Sequence, residues 1–519
     1  MKRQSEGLSA WQLTMMALGT VIGGSFFLGS AVAIRAAGPA IILSFVMGGA
    51  LVYAILYALS EMTVADPAPG SFRTFSEKAY GPAVGFIVGW VYWTGMVLAM
   101  SSEAIAVSSL LQAWLQGVSI PVLGAAVIIV VTILNLFGAD RLSKLEGGLA
   151  AIKLLAIIGF VVLSVAIVSG LMPGTAQGKA GGLVTEPIFP TGLGGIAGSM
   201  LIVMFSYAGF EIIGLAASET ARPDKTVPQA ITYTVFGLVG LYVTAITALL
   251  LLVPTTALTP DQSPLVTALT AWNLGWASNA INIVLVTAIL STMLAAMFGL
   301  GRMLRSLADE GHAPSWVRDK GDIPYRGIVF SGAAMIGGLG LGLLLPAQVY
   351  LFLVSSGGFA LLFSYLVILA THYKLRKQQG CPPQGKCQLP GFPVTSWVAL
   401  LSIVGIIASM PLISGQGAGL FAGVGFVALF SLMYVVNKKF GKRLAQVDVR
   451  SAESWASQGL RTAEMQFETA EEFSVESKLP QEQERNSSSN KDKYCLDTGN
   501  KIDNKKVVES DSNKGSRHK

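Results

Sequence analysis

Apolar residues run along this chain in long blocks, with few polar residues inside them. Twelve blocks, at about 12–34, 39–63, 84–112, 121–138, 147–170, 192–217, 229–253, 276–301, 328–345, 348–371, 394–413 and 417–437, each hold roughly 18 residues or more. As an α-helix a run of that length crosses about 30 Å of hydrocarbon. A helix satisfies its own backbone hydrogen bonds, so the pattern predicts an all-α polytopic membrane protein of about twelve transmembrane helices.

The polar connections orient the spans. Alternate connections carry Arg73 and Lys78, then Arg141 and Lys144, then Arg222 and Lys225, then Arg302, Arg305, Arg318, Lys320 and Arg326, then Lys374, Arg376, Lys377 and Lys386. The intervening ones offer only Arg35 and Lys179. Positive charge is retained on the cytoplasmic side, so both termini, residues 1–11 and 438–519, are expected in the cytoplasm, with the spans in the lipid of the cell membrane. Lys2 and Arg3 precede a long first span with no small-residue cleavage site, so a removed leader is not expected.

Composition agrees: 52% of residues are hydrophobic and only 13% charged. The net charge of +6 is spread over loops on one membrane face, which argues against nucleic acid as a partner. From residue 438 the chain turns polar, with stretches such as "QEQERNSSSNKDKY", and such a tail is expected to be mostly disordered. A short amphipathic helix over Trp455–Phe467 is the alternative. Cys381, Cys387 and Cys495 fall on the cytoplasmic side and are expected as reduced thiols. Two thiols around "PPQGK" fall short of a four-ligand zinc site, so no metal and no other cofactor is expected.

Two blocks are poor helices. In "GTVIGGSFFLGS" (19–30), Gly19, Gly23, Gly24 and Gly29 crowd into twelve positions, and each glycine costs about 1 kcal/mol against alanine in a helix interior. In "FSYAGFEIIGLAASETARPDKTVPQAI" (205–231), Gly209 and Gly214 interrupt the sixth block and Glu211 puts a carboxyl among apolar neighbours. Interruptions at corresponding places in two five-span halves point to a transporter with inverted repeats. A helix that breaks at mid-membrane leaves backbone N–H and C=O groups without partners. Amides at Gly24, Ser25 and Phe26 suit a carboxylate, and carbonyls at Thr20, Val21, Phe205 and Ala208 suit an ammonium. Together they fit an amino acid.

These two stretches, with "AGP" (37–39), "DPAPGSFRTFSEKAYGP" (66–82) and "RMLRSLADEGHAPSWV" (302–317), resemble the bacterial amino-acid permeases of the amino acid–polyamine–organocation superfamily over about the first 440 residues. The resemblance implies the leucine-transporter fold, with broken helices 1 and 6. Residues 12–170 and 192–371 would form two inverted five-helix repeats, and 394–437 two peripheral helices. It places the carboxylate-binding amides at Gly24 and Ser25 and the amine-binding carbonyls at Val21, Phe205 and Ala208. Phe205 matches an aromatic gate; Gly23, Ser206 and Phe210 complete the expected substrate-binding set. One departure is Ser25, where the family's break has a glycine.

No GxxxxGK[ST] phosphate loop is present, so an ion gradient or a second amino acid must drive uphill movement. Lys153 lies about ten residues from the basic cytoplasmic flank of the fifth block and reads either as a snorkelling surface lysine or as a proton carrier. The resemblance favours the carrier, since some proton-coupled relatives hold a lysine there in place of a sodium ion. Sodium is the alternative, with Ser291 and Thr292 as hydroxyl ligands. Glu103 and Glu211 are further candidates for proton coupling. Glu61, Asp66 and Glu219, near cytoplasmic helix ends where water reaches, read as loop and gate hydrogen-bond partners. No nucleophile has a general base within its span, so an enzyme is not expected. The reading is therefore a proton-coupled importer of neutral or branched apolar amino acids, with an exchanger or a non-transporting amino-acid receptor as rivals.

Overall fold

The computed structural model describes residues 9–439 apart from 67, 69, 113, 173–180, 212, 215–219, 221, 260, 261, 320, 322, 345–348, 382–388 and 414. The polar tail with Cys495, Trp455–Phe467 and His518 lies outside the described residues, as do Lys179, Glu219 and Cys387. The chain divides into two units, Met1–Gly441 and Lys442–Lys519. The architecture below is that of the first, whose regular structure is helical throughout the described residues.

The first apolar block forms three pieces, α1 (Ala10–Val21), α2 (Gly24–Phe27) and α3 (Gly29–Ala37). α1 begins at a capping box: Gln12 N–H donates to Ser9 Oγ (3.3 Å) and Ser9 N–H donates to Gln12 Oε1 (2.9 Å). Two of its orphan donors are thus met locally. It stops because Ile22 and Gly23 are extended (ψ 96° and −163°). α4 (Ile41–Ala65) follows, then the short α5 (Phe72–Tyr80), α6 (Pro82–Leu111), α7 (Ile120–Asn135), α8 (Ala139–Val168) and the one-turn α9 (Gly182–Thr185).

The sixth block is also broken. α10 (Gly192–Ser206) ends in a turn through Tyr207–Glu211. Thereafter come α11 (Pro223–Leu252), α12 (Pro264–Ala271), α13 (Gly275–Asp309), α14 (Tyr325–Leu344), α15 (Val349–Gln379), α16 (Val394–Ser409) and α17 (Gly417–Lys439). Helix lies in each of the twelve blocks; among the described residues eight helical stretches are long and apolar enough to cross a membrane, and Ile120–Asn135, Gly192–Ser206 and Tyr325–Leu341 are shorter apolar helices. The pattern did not predict α5, α9 or α12, which are too short to stand out as apolar blocks.

Burial separates inner from outer helices. The most apolar windows of α6 and α15 are 72% buried, whereas those of α8, α16 and α17 are 28%, 28% and 17% buried. α6 packs against α15, α13, α7 and α5 and so runs through the centre. The outer helices present Leu155, Val162, Leu401 and Phe421 outward, as expected where the solvent is hydrocarbon and apolar exposure carries no penalty.

The predicted cytoplasmic end is tied by buried charge. Arg73 of α5 is fully buried; it donates to Glu77 Oε2 (3.0 Å) and to Glu310 beyond α13. Glu61 is buried, not exposed to water as its place near a helix end suggested. It is bonded to His372 Nε2 (2.7 Å), and it accepts from Arg376 Nη1 (3.1 Å) and Leu389 N–H (2.6 Å), which joins α4 to α15 and to the segment before α16. Asp66 pairs with Lys78. Cys381, expected as a thiol, is disulfide-bonded.

Candidate functional site

The two breaks face each other across the middle of the bundle. Thr20 Oγ1 lies 3.2 Å from Gly209 O, and Ser206 Oγ lies 3.1 Å from Ser25 O. Gly209 turns the chain with φ +105°, and a Cβ there would stand 3.0 Å from Thr20 O. Only glycine takes both that dihedral and that contact without strain.

A cavity opens between the breaks. From the breaks it is lined by Thr20, Val21, Ser25, Phe205, Ala208 and Gly209; α6 adds Tyr92, Met96 and Glu103, and α13 adds Thr292. Glu211 completes its polar wall. Its free space is only about 50 Å3, room for a few waters at roughly 10–15 Å3 each by that measure.

Three buried groups give the site its charge. Glu103 accepts two backbone bonds at the first break, from Gly24 N–H to Oε2 (2.8 Å) and from Ser25 N–H to Oε1 (3.0 Å). Glu211 accepts from Tyr92 OH (2.8 Å), from Tyr365 OH (3.4 Å) and from Gly209 N–H (3.1 Å). Lys153 is fully buried, not snorkelling: its Nζ donates to Gly19 O (2.6 Å) and to Thr292 Oγ1 (3.2 Å). Thr292 Oγ1 also reaches Ile22 O (3.1 Å). The ammonium of α8 thereby bridges the end of α1 and the middle of α13. It satisfies carbonyl and hydroxyl oxygens there, the donor set a small cation would use.

Of the residues picked from sequence, Val21, Ser25, Phe205, Ala208, Glu103 and Glu211 line one cavity. Gly24 stands behind it with its amide on Glu103, and Gly23 packs against Thr292. Ser206 turns its hydroxyl to Ile202 O (2.9 Å) and Ser25 O. Phe210, expected on the wall, is fully buried and stacked on Tyr365, 4.9 Å between ring centres. The turn at Gly209 faces Phe205 and Ala208 to the cavity and sends Phe210 toward α15.

Tyr92, Met96 and Tyr365 were not foreseen. Residues 92, 96, 99 and 103 follow helical spacing on α6, and Tyr92, Met96, Ala99 and Glu103 all line the cavity. Counting back from Glu103 would have found Tyr92. Tyr365 has no such signal.

The amino acid permease family model matches residues 12–450. The gamma-aminobutyric acid permease of Bacillus subtilis is 30% identical over 83% of this chain and 93% of its own. The aromatic amino acid transport protein AroP of Escherichia coli is 30% identical over 84% of this chain and 96% of its own. Among solved structures, a manganese transporter variant of Eremococcus coleocola superposes with a TM-score of 0.53 at 13% identity, covering 84% of this chain and 96% of that one. That likeness bears on the fold alone. The chain is a multi-pass membrane protein of the leucine-transporter fold and belongs to the amino acid permease family.

Proposed function

We propose that this permease is a secondary transporter that imports neutral amino acids with apolar side chains, driven by protons, through alternating access in the cell membrane. Residues 12–170 and 192–371 act as the two inverted repeats, 394–437 as peripheral helices, and both termini are cytoplasmic. The observation that carries the reading is the pair of facing breaks around one cavity, with Lys153 Nζ bonded to Gly19 O and Thr292 Oγ1 beside it.

The chemistry follows from those groups. Amides at the first break suit an α-carboxylate, carbonyls at Val21, Phe205 and Ala208 suit the α-amine, and the Phe205 ring with Met96 and Met100 suits an apolar side chain. The relatives named for gamma-aminobutyrate and for aromatic amino acids carry substrates without net charge, in line with this pocket. Lys153, when protonated, ties α1 to α13; the neutral amine loses that hold, which links proton movement to the opening of the site. Sodium would have to share this place with an ammonium and be repelled by it.

Uptake of labelled phenylalanine, leucine and 4-aminobutyrate into proteoliposomes tests the reading. Accumulation is expected when the inside is more alkaline than the outside, without any sodium gradient. Uptake that ignores the pH gradient and needs preloaded internal amino acid would instead make the protein an exchanger.

A further inference from the structure

The amides that a substrate carboxylate would use are already taken. Glu103, 3% exposed, places one carboxylate oxygen on Gly24 N–H (2.8 Å) and the other on Ser25 N–H (3.0 Å). This two-pronged, charge-assisted arrangement is how an α-carboxylate would be held. A Cβ on Gly24 would run into the Glu103 carboxylate, so glycine at 24 serves the close approach of this side chain. The same carboxyl lines the cavity.

Building on the reading of this cavity as the amino-acid site, we propose that Glu103 is an internal stand-in for the substrate carboxylate. It occupies the amides at Gly24 and Ser25, and substrate loads by displacing it. Two carboxylates crowded on one pair of amides repel each other in a water-poor site. Glu103 therefore leaves as the neutral acid, taking a proton from the aqueous side that the open site faces. The proton stays on Glu103 while the substrate holds the amides. It is released when the substrate departs and the carboxylate returns to Gly24 and Ser25.

The surroundings allow this exchange. The ionisable groups near enough to act on Glu103 are Lys153 of α8, Tyr242 of α11 and Tyr350 of α15. Glu211 shares the cavity but is held by Tyr92 and Tyr365. From α13 the uncharged Ile289 and Thr292 stand against the glycines of the break. Lys153 donates to Gly19 O and Thr292 Oγ1 and acts on Glu103 as a nearby positive charge.

The test uses purified full-length protein and two variants. Glu103→Ala vacates the amides, and acetate is the probe: millimolar acetate should raise the Tm of Glu103→Ala and leave wild type unchanged. No rise in Glu103→Ala overturns the proposal. In the second arm, equilibrium binding of phenylalanine and 4-aminobutyrate is followed between pH 5 and 8. Uptake of one proton per substrate makes wild-type affinity rise by up to about tenfold per unit fall in pH. Glu103→Gln keeps the volume without the charge, so it should lose this dependence and bind at least tenfold more tightly than wild type at pH 8. Weaker binding by Glu103→Gln at every pH would mean that Glu103 assists the substrate, which contradicts the proposal even if Glu103→Ala fails to fold. If acetate stabilises Glu103→Ala but neither amino acid binds wild type, the stand-in holds and the proposed substrate class falls. If the amino acids bind and acetate does nothing, the reverse is true.

Discussion

Phe205 and Phe210 are five residues apart on the same interrupted segment, yet one faces the cavity and the other is stacked on Tyr365. Phe205→Ala should therefore weaken binding of phenylalanine and leucine on the order of tenfold while changing glycine little, since only the larger side chains reach the ring. Equal losses for all three in competition binding would assign Phe205 to helix packing. Individual residues were legible where their chemistry was out of place: Glu103, Lys153 and Glu211 are charges inside apolar blocks, and all three are buried around the breaks. Phe210 misled because an aromatic beside a break looks like pocket wall, and the side it faces depends on the dihedral at Gly209. The bond from Glu103 to Gly24 and Ser25 was not legible at all. It joins residues 79 and 78 positions apart, and sequence spacing is silent on such contacts.

At the scale of elements, the breaks in the first and sixth helices followed from glycine density, and the helices of the twelve blocks followed from block length. Short elements did not: α5 is nine residues long and is held by its contacts, with Phe72, Arg73 and Phe75 buried, more than by its own pattern. Gly209→Ala tests the second break directly. An alanine forced to φ +105° beside Thr20 O costs about 1–2 kcal/mol from backbone strain alone, so a lower Tm and weaker substrate binding are expected together. An unchanged Tm would mean that the turn relaxes at no cost. The link between α5 and α13 gives a pH signature. Burial pushes the Glu310 carboxyl up, but the Arg73 guanidinium bonded to it prevails and holds it below the ordinary carboxylate range. Burial and the adjacent Glu310 push Glu77 up. A carboxyl lowered in the folded state contributes stability in full above its unfolded value, about 4.3, and loses it as pH falls through the lowered value. Glu310→Gln should accordingly lower the Tm at pH 7, with the deficit shrinking on acidification below that range. A deficit that persists undiminished at low pH would mean that Arg73 and Glu310 are not acting as an ion pair.

In the whole molecule, the inner helices carry the site and the outer ones cover it. α6 supplies Tyr92, Met96 and Glu103, α13 supplies Thr292, and α8 supplies Lys153, so the cavity draws on helices distant in sequence. In the proposed alternating access, the α1 and α10 breaks move relative to α6 and α13 and reshape the site between them. In the proposed mechanism Lys153 is one residue through which that movement meets a proton, because its amine bonds to α1 and α13 at once. The most direct measurement is a pair of proteoliposome assays on wild type and Lys153→Ala, one for uptake driven by a pH gradient and one for exchange of internal for external amino acid. Wild type should accumulate substrate in the first and exchange it in the second, while Lys153→Ala should lose accumulation and retain exchange at least in part. Accumulation by Lys153→Ala to the wild-type level under a proton gradient alone would contradict the account.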